Sequence, residues 1–283
     1  MERKPQWLKV RYNQEAVTEV ASLLGALGLH TVCTAANCPN LGECYRKHTA
    51  TFLILGDICT RNCRFCNVTT GKPLPPNPLE PEHIARAVQK MGLHHVVLTC
   101  STRDDLPDGG ASQFVRCVQA IRSLCPKTTI ETLISDLQGN KEALDHVLDA
   151  HPDVLNHNVE TVKELQKKVR PQADYDRSLD VLRYSKEKYP ALLTKTGFMV
   201  GMGETEAQIE ALLDDIRATG CDILTIGQYL PPSPQHYPLV RYATPADFQR
   251  WKDMALAKGF RYVASAPLVR SSYRAWEALE DLP

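Results

Sequence analysis

From residue 51 onward, short runs of β-branched and apolar residues alternate with longer stretches in which apolar positions recur every three or four residues. The short runs predict strands over 51–57 (TFLILGD), 95–100 (HVVLTC), 128–134 (TTIETLI), 153–156 (DVLN), 193–200 (LTKTGFMV) and 222–227 (DILTIG). Helical patterns fall near 81–91, 111–125, 140–150, 160–168, 176–188 and 204–219. Six β/α units in succession predict an α/β fold on a parallel sheet, a partial (β/α)6 TIM-like barrel. In such sheets functional residues gather at the carboxyl ends of the strands. Residues 1–50 precede the repeat, 228–244 (QYLPPSPQHYPLVRYAT) are proline-rich and irregular, and a last helix and strand are expected over 245–258 and 261–266.

Composition narrows the class without fixing it. The chain has 283 residues, 43% hydrophobic and 23% charged, enough for one large α/β unit, since such barrels run to about 200–250 residues. Its 33 basic and 33 acidic side chains cancel, so net charge gives no footprint for nucleic acid or an anionic membrane. No apolar run approaches the roughly 18 residues of a membrane span, and Met1 to Tyr12 lack the apolar core of a signal peptide. The expectation is a soluble, cytoplasmic chain with no nucleic-acid or membrane partner. In a reduced compartment, ten cysteines point to metal ligation rather than a disulfide framework.

Six of those cysteines form two triplets: Cys33, Cys38 and Cys44 as C-x4-C-x5-C, then Cys59, Cys63 and Cys66 as C-x3-C-x2-C. A closed zinc site or an electron-transfer iron–sulfur cluster takes four protein ligands. Three ligands leave one iron open for something else. The bland alternative, a zinc knuckle or buried thiols, is disfavoured because zinc pairs read C-x2-C twice or end in histidines. A ferredoxin-like electron carrier would cap both clusters with four ligands and leave the β/α units unexplained.

The segment Cys59-Thr-Arg-Asn-Cys63-Arg-Phe65-Cys66 follows the first predicted strand and closely resembles the radical S-adenosylmethionine (SAM) enzymes. In that family the open iron chelates SAM, and an electron from the cluster cleaves it to methionine and a 5′-deoxyadenosyl radical; the protein positions and shields this chemistry. The first triplet narrows the likeness to the lipoyl synthase family, which the chain resembles over nearly its whole length. The segments that carry the resemblance are KPQWLK (4–9), NCPNLGEC (37–44), TRDDLPDGGA (102–111), NHNVETV (156–162), KTGFMVGMGET (195–205), LTIGQYLPPSPQHYPLVRY (224–242) and RSSYRA (270–275).

The resemblance implies a sulfurtransferase with two 4Fe-4S clusters and SAM as co-substrate. The first triplet would hold an auxiliary cluster whose fourth ligand is a serine of the RSSY motif, here Ser271 or Ser272, with Ser272 preferred. An alkoxide is a harder donor than a thiolate, which suits a cluster that must be taken apart. That cluster would give two sulfur atoms to C6 and C8 of an octanoyl chain on a lysine of a lipoyl carrier domain, the kind found in 2-oxoacid dehydrogenase E2 subunits and glycine cleavage H protein. An electron donor such as flavodoxin or ferredoxin and a cluster carrier for rebuilding would be the other partners. An unactivated C–H has no useful acidity, so no acid–base constellation is required. Residues 1–50 would then be an extension bearing the auxiliary ligands, 51–228 the barrel, and 229–283 a segment closing the site. A sulfur-inserting enzyme of the biotin synthase type would share the C-x3-C-x2-C loop but not the first triplet with RSSY.

Candidates for SAM contacts come from position. Thr99, Ser101, Asp108, Gly109 and Gly110 lie at the end of the second strand or just after it, where the paired glycines let backbone approach a ligand. Glu131, Asn156, Asn158 and Lys195 lie at the next three strands as candidates for ribose, carboxylate or substrate. For each, a turn glycine or satisfied polar group is the competing explanation. Arg270 is a candidate donor to cluster sulfides, against a surface ion pair. GFMVGMGET contains G-x-G but is no dinucleotide fingerprint. Cys100, Cys117, Cys125 and Cys221 have no ligand spacing and read as buried apolar residues. The histidines, His94, His95, His157 and His236 among them, show none either, and the charge runs at 163–170 and 183–188 read as solvated helix faces.

Overall fold

A computed structural model describes residues 4–9, 14–36, 38, 40–46 and 49–282. Asn37 and Pro39 of the 37–44 motif, and residues 1–3 and 10–12 of the N-terminal stretch, lie outside them. The chain divides into two compact units, one of Tyr12–Asn62 with Asn67–Asn156 and one of Met1–Arg11, Cys63–Cys66 and His157–Pro283.

The first unit contains α1 (Gln14–Ala26), β1 (His30–Thr31), α2 (Val32–Ala35), α3 (Leu41–Arg46), β2 (Thr51–Ile54), β3 (Ile58–Cys59), β4 (Thr69–Thr70), α4 (Glu80–Met91), β5 (His95–Cys100), α5 (Ala111–Leu124), β6 (Thr129–Leu133), α6 (Lys141–Asp149) and β7 (Val154–Asn156). Strands β2, β5, β6 and β7 pair in parallel in that order, with Leu53 opposite Thr99, Val97 opposite Glu131 and Glu131 opposite Val154; β1 adds antiparallel to β2. All four residues of β2 are buried, as expected of parallel strands covered on both faces. The helices follow from local signals. In α4, Pro81 and acidic Glu80 and Glu82 sit in the first turn, and Gly92 ends the helix in the left-handed region at φ 59°. In α5, Phe114, Cys117, Val118 and Ile121 repeat at helical spacing and are buried.

The second unit contains α7 (Gln166–Val169), α8 (Tyr175–Lys188), β8 (Leu193–Val200), α9 (Glu206–Ala218), β9 (Ile223–Gln228), α10 (Pro245–Ala257), β10 (Tyr262–Ser265) and α11 (Glu277–Asp281). Strands β8, β9 and β10 are parallel, with Gly197 opposite Thr225 and Ala264 opposite Thr225 on the other side. All six residues of β9 are buried. Capping boxes start α9 (Thr205 with Gln208) and α10 (Thr244 with Asp247). The core of this unit joins Leu179, Leu182, Phe198, Leu213, Ile226, Phe248 and Trp251.

The expected alternation of strand and helix is present, and β8 spans the expected residues. The helix expected over 160–168 differs. Glu160 has a left-handed φ of 72° and bridges to Phe198 of β8, so helical structure begins only with a 3-10 turn at Lys163–Leu165 followed by α7. Among the described residues, no helix is long and apolar enough to cross a membrane.

Candidate active site

The two cysteine triplets sit on short, tightly bonded pieces of chain. Thr31 caps α2 by accepting from the Thr34 amide, which places buried Cys33 on one helical turn. The Cys38 amide donates to the Cys33 carbonyl at 3.0 Å, and the Thr49 amide and hydroxyl both donate to the Cys44 carbonyl. Burial pushes the Cys33 thiol up to about 12, and the charges of Cys38 and Cys44 push in the same direction while Thr51 hydrogen bonds oppose them.

The second triplet begins in the first unit. Cys59 ends β3, and its carbonyl accepts from the Gly71 amide at 3.0 Å. The Thr60 amide and hydroxyl both donate to the Thr102 carbonyl, and the Asp104 amide donates back to the Thr60 hydroxyl. Arg61 directs its amide to the Cys59 Sγ at 3.4 Å. Its guanidinium forks onto Asp104 at 2.6 and 2.8 Å and reaches Asp136 at 2.6 Å. Cys100 lies near these groups: burial pushes its thiol up to about 12, a Ser135 amide bond opposes this, and the charge of Cys59 adds to it.

Cys63 and Cys66 belong to the second unit, where the Cys66 amide donates to the Cys63 carbonyl at 3.0 Å. The proline-rich segment wraps this turn. The His236 Nε2 donates to the Cys66 carbonyl at 3.1 Å, while its Nδ1 lies 2.8 Å from the Ser233 hydroxyl. The Tyr237 amide donates to the Arg64 carbonyl at 2.7 Å, and the Arg64 guanidinium stands over the Tyr237 ring. Gln228, fully buried at the end of β9, donates to the carbonyls of Val200, Tyr229 and Arg241 and accepts from the Ala243 amide, which fixes the segment's ends.

The RSSY motif lies in the same unit. The Ser271 hydroxyl donates to the Asn158 Oδ1 at 3.0 Å. Asn158 also hydrogen-bonds Glu160, whose carboxyl is pushed up by burial and pulled back by Arg170 and by that bond. Arg270 donates from Nη1 to the Val269 carbonyl at 2.6 Å.

Other positional candidates have definite protein partners. Thr99 donates to the Leu133 carbonyl and Ser101 to the Gly56 carbonyl. Asp108 accepts from the Ser112 amide and hydroxyl and from the Gly110 amide, so it holds the first turn of α5 from the loop before its Gly110 N-cap. Gly110 has a φ of 93°, and a Cβ there would stand 2.3 Å from a Leu55 methyl; Gly109 at φ 60° packs on Leu137. Glu131 is fully buried and accepts from the Asn156 amide at 2.7 Å. Lys195 is buried near the amino end of β8, away from its carboxyl end.

Residues 53–216 match the Radical SAM superfamily. The chain is 52% identical to the lipoyl synthase of Caldanaerobacter subterraneus subsp. tengcongensis over 96% of both chains. It is also 52% identical to the lipoyl synthase of Alkaliphilus metalliredigens, covering 99% of this chain and 97% of the relative. The chain belongs to the lipoyl synthase family. Among solved structures, the FeFe-hydrogenase maturase HydG from Carboxydothermus hydrogenoformans aligns with a TM-score of 0.59 at 14% identity, over 96% of this chain and 84% of its own. At that identity the likeness speaks for the fold alone, the partial-barrel α/β class expected from the sequence.

Membership of the lipoyl synthase family makes the chain a radical SAM sulfurtransferase that uses SAM and iron–sulfur clusters. Thiolate is the ligand iron–sulfur clusters take, and all ten cysteines are thiols outside any disulfide. Sequence reasoning passed over Arg61 and left His236 without a role. Arg61 was visible as the one charged residue between Cys59 and Cys63, but its partners Asp104 and Asp136 come from later segments of the chain.

Proposed function

We propose that the protein inserts two sulfur atoms at C6 and C8 of an octanoyl chain attached to a lysine of a lipoyl carrier domain. In this reading Cys59, Cys63 and Cys66 hold one 4Fe-4S cluster, and Cys33, Cys38, Cys44 and Ser272 hold a second that is consumed as the sulfur-donating substrate. With SAM, the first cluster supplies the one-electron chemistry that removes hydrogen atoms from unactivated C–H bonds.

The chain's own residues orient and enclose that chemistry. Arg61, Thr60 and Thr102 fix the backbone of Cys59, and His236 and Tyr237 fix that of Cys63–Cys66. The Ser271 bond to Asn158 supports Ser272 as the fourth ligand, because Ser271 already has a side-chain partner. Thr99, Ser101, Asp108, Gly109, Gly110, Glu131, Asn156, Asn158 and Lys195 remain the proposed surroundings of SAM and substrate; for Asp108, Gly109 and Gly110 the contribution is the shape of the α5 start. The proposed organisation is an auxiliary extension over 1–50, a barrel over 51–228 and a closing segment over 229–283 in a cytoplasmic protein served by a flavodoxin- or ferredoxin-type reductant and a cluster carrier.

The observation that carries the reading is the joint presence of both triplets and RSSY in a chain 52% identical to lipoyl synthases from end to end. Cys38→Ala tests it: SAM cleavage persists while sulfur insertion is lost. Sulfur insertion retained by that variant contradicts the donor role.

A further inference from the structure

Arg61 is placed to do more than fill space. Its side chain is 4% exposed and Asp136 is wholly buried. Burying charges is costly, and pairs such as these contribute orientation more dependably than stability. The guanidinium is planar, so its fork onto Asp104 and its third bond to Asp136 fix the side chain in one attitude. The backbone is pinned as well: the Thr70 hydroxyl donates to the Arg61 carbonyl at 3.0 Å, and Thr60 is tied to Thr102 and Asp104. The Arg61 backbone N–H, carried on this pinned segment, points at the Cys59 sulfur.

An N–H directed at a thiolate that ligates iron stabilises the more negative, reduced cluster and raises its potential. We infer that Arg61 is a positioning residue that holds this N–H on the Cys59 sulfur and thereby sets the reduction potential of the cluster that Cys59 helps to hold. The inference rests on the assignment of Cys59, Cys63 and Cys66 as cluster ligands.

Two charge-conserving variants test it, Arg61→Lys, which keeps the cation but loses the fork, and Thr60→Val, which loses the hydroxyl bonds to Thr102 and Asp104. The readout is a redox titration of the anaerobically prepared holoenzyme, following the part of the reduced electron paramagnetic resonance signal that SAM perturbs. Arg61→Lys shifts the midpoint to more negative potential, and Thr60→Val shifts it less in the same direction. The kcat for SAM cleavage falls while KM for SAM holds. In the cluster-free chain, hydrogen exchange over 58–62 accelerates, a readout independent of any cluster. Should Arg61→Lys fail to fold, Thr60→Val decides by the same measurements. Midpoints unmoved in variants that load iron fully overturn the inference, while a wild-type chain with no SAM-sensitive signal overturns the ligand assignment beneath it.

Discussion

A methyl group at residue 227 would stand 2.2 Å from the carbonyl oxygen of Val269. Gly227, in β9, therefore lets the C-terminal tail run directly against the strand two residues before Ser271. Gly197 in β8 serves the neighbouring contact, where a Cβ would meet the Thr225 hydroxyl at 2.2 Å and the Asn158 Oδ1 at 3.2 Å. Gly227→Ala must displace the tail, at a cost of about 1–3 kcal/mol by analogy with overpacked cores. The expected outcome is a lowered melting temperature and lost sulfur insertion with SAM cleavage preserved, read by thermal denaturation and product analysis.

The two tail serines separate by chemistry. Ser271→Ala removes a bond to Asn158 and costs about 0.5–1.5 kcal/mol, with sulfur insertion slowed but present. Ser272→Ala abolishes insertion and leaves SAM cleavage intact. Single-turnover product analysis of both variants checks the pair.

His236 supports Cys66 from the proline-rich segment. His236→Leu removes the ring N–H that donates to the Cys66 carbonyl, a loss of about 1 kcal/mol in local order. The expected result is faster hydrogen exchange over 63–66 and lower iron retention on dilution, with the melting temperature little changed.

Asp108 makes the start of α5 sensitive to acid. Partial burial pushes its carboxyl up, but the Ser112 hydroxyl and amide and the Gly110 amide outweigh this and hold it below the ordinary 3.8. A carboxyl lowered by folding stabilises the fold above 3.8, its unfolded value, and loses that contribution as pH falls through its folded value. Asp108→Ala should therefore cost about 0.5–1.5 kcal/mol near neutral pH, the usual net worth of a hydrogen bond, and progressively less in acid. Urea unfolding of the cluster-free chain across that range gives the answer.

Much of this was legible in the chain because local and global signals agree. The run LTKTGFMV forms β8 from its first residue to its last, with threonines and apolar residues that suit a buried parallel strand. The cysteine triplets stand out in the chain because spacing is a local property. What local pattern hides is long-range partnership. The helical pattern reads from residue 160, yet Glu160 takes a left-handed φ of 72° and bridges to Phe198 of β8, so the first helical turn starts only at Lys163. Asp108 and the glycines beside it look like a ligand loop, and in the structure their polar groups begin a helix. Arg61 carries no local signal, because Asp104 and Asp136 reach it from two later segments.

The central claim is that the chain carries two independent clusters on its two triplets. Iron and acid-labile sulfide per chain, measured on protein prepared without oxygen, test it most directly when compared with a variant lacking Cys59, Cys63 and Cys66. The account predicts about eight irons in the wild type and about four in the variant, the content of two and of one 4Fe-4S cluster. Zinc in place of iron, or about four irons in the wild type lost completely in the variant, would contradict it.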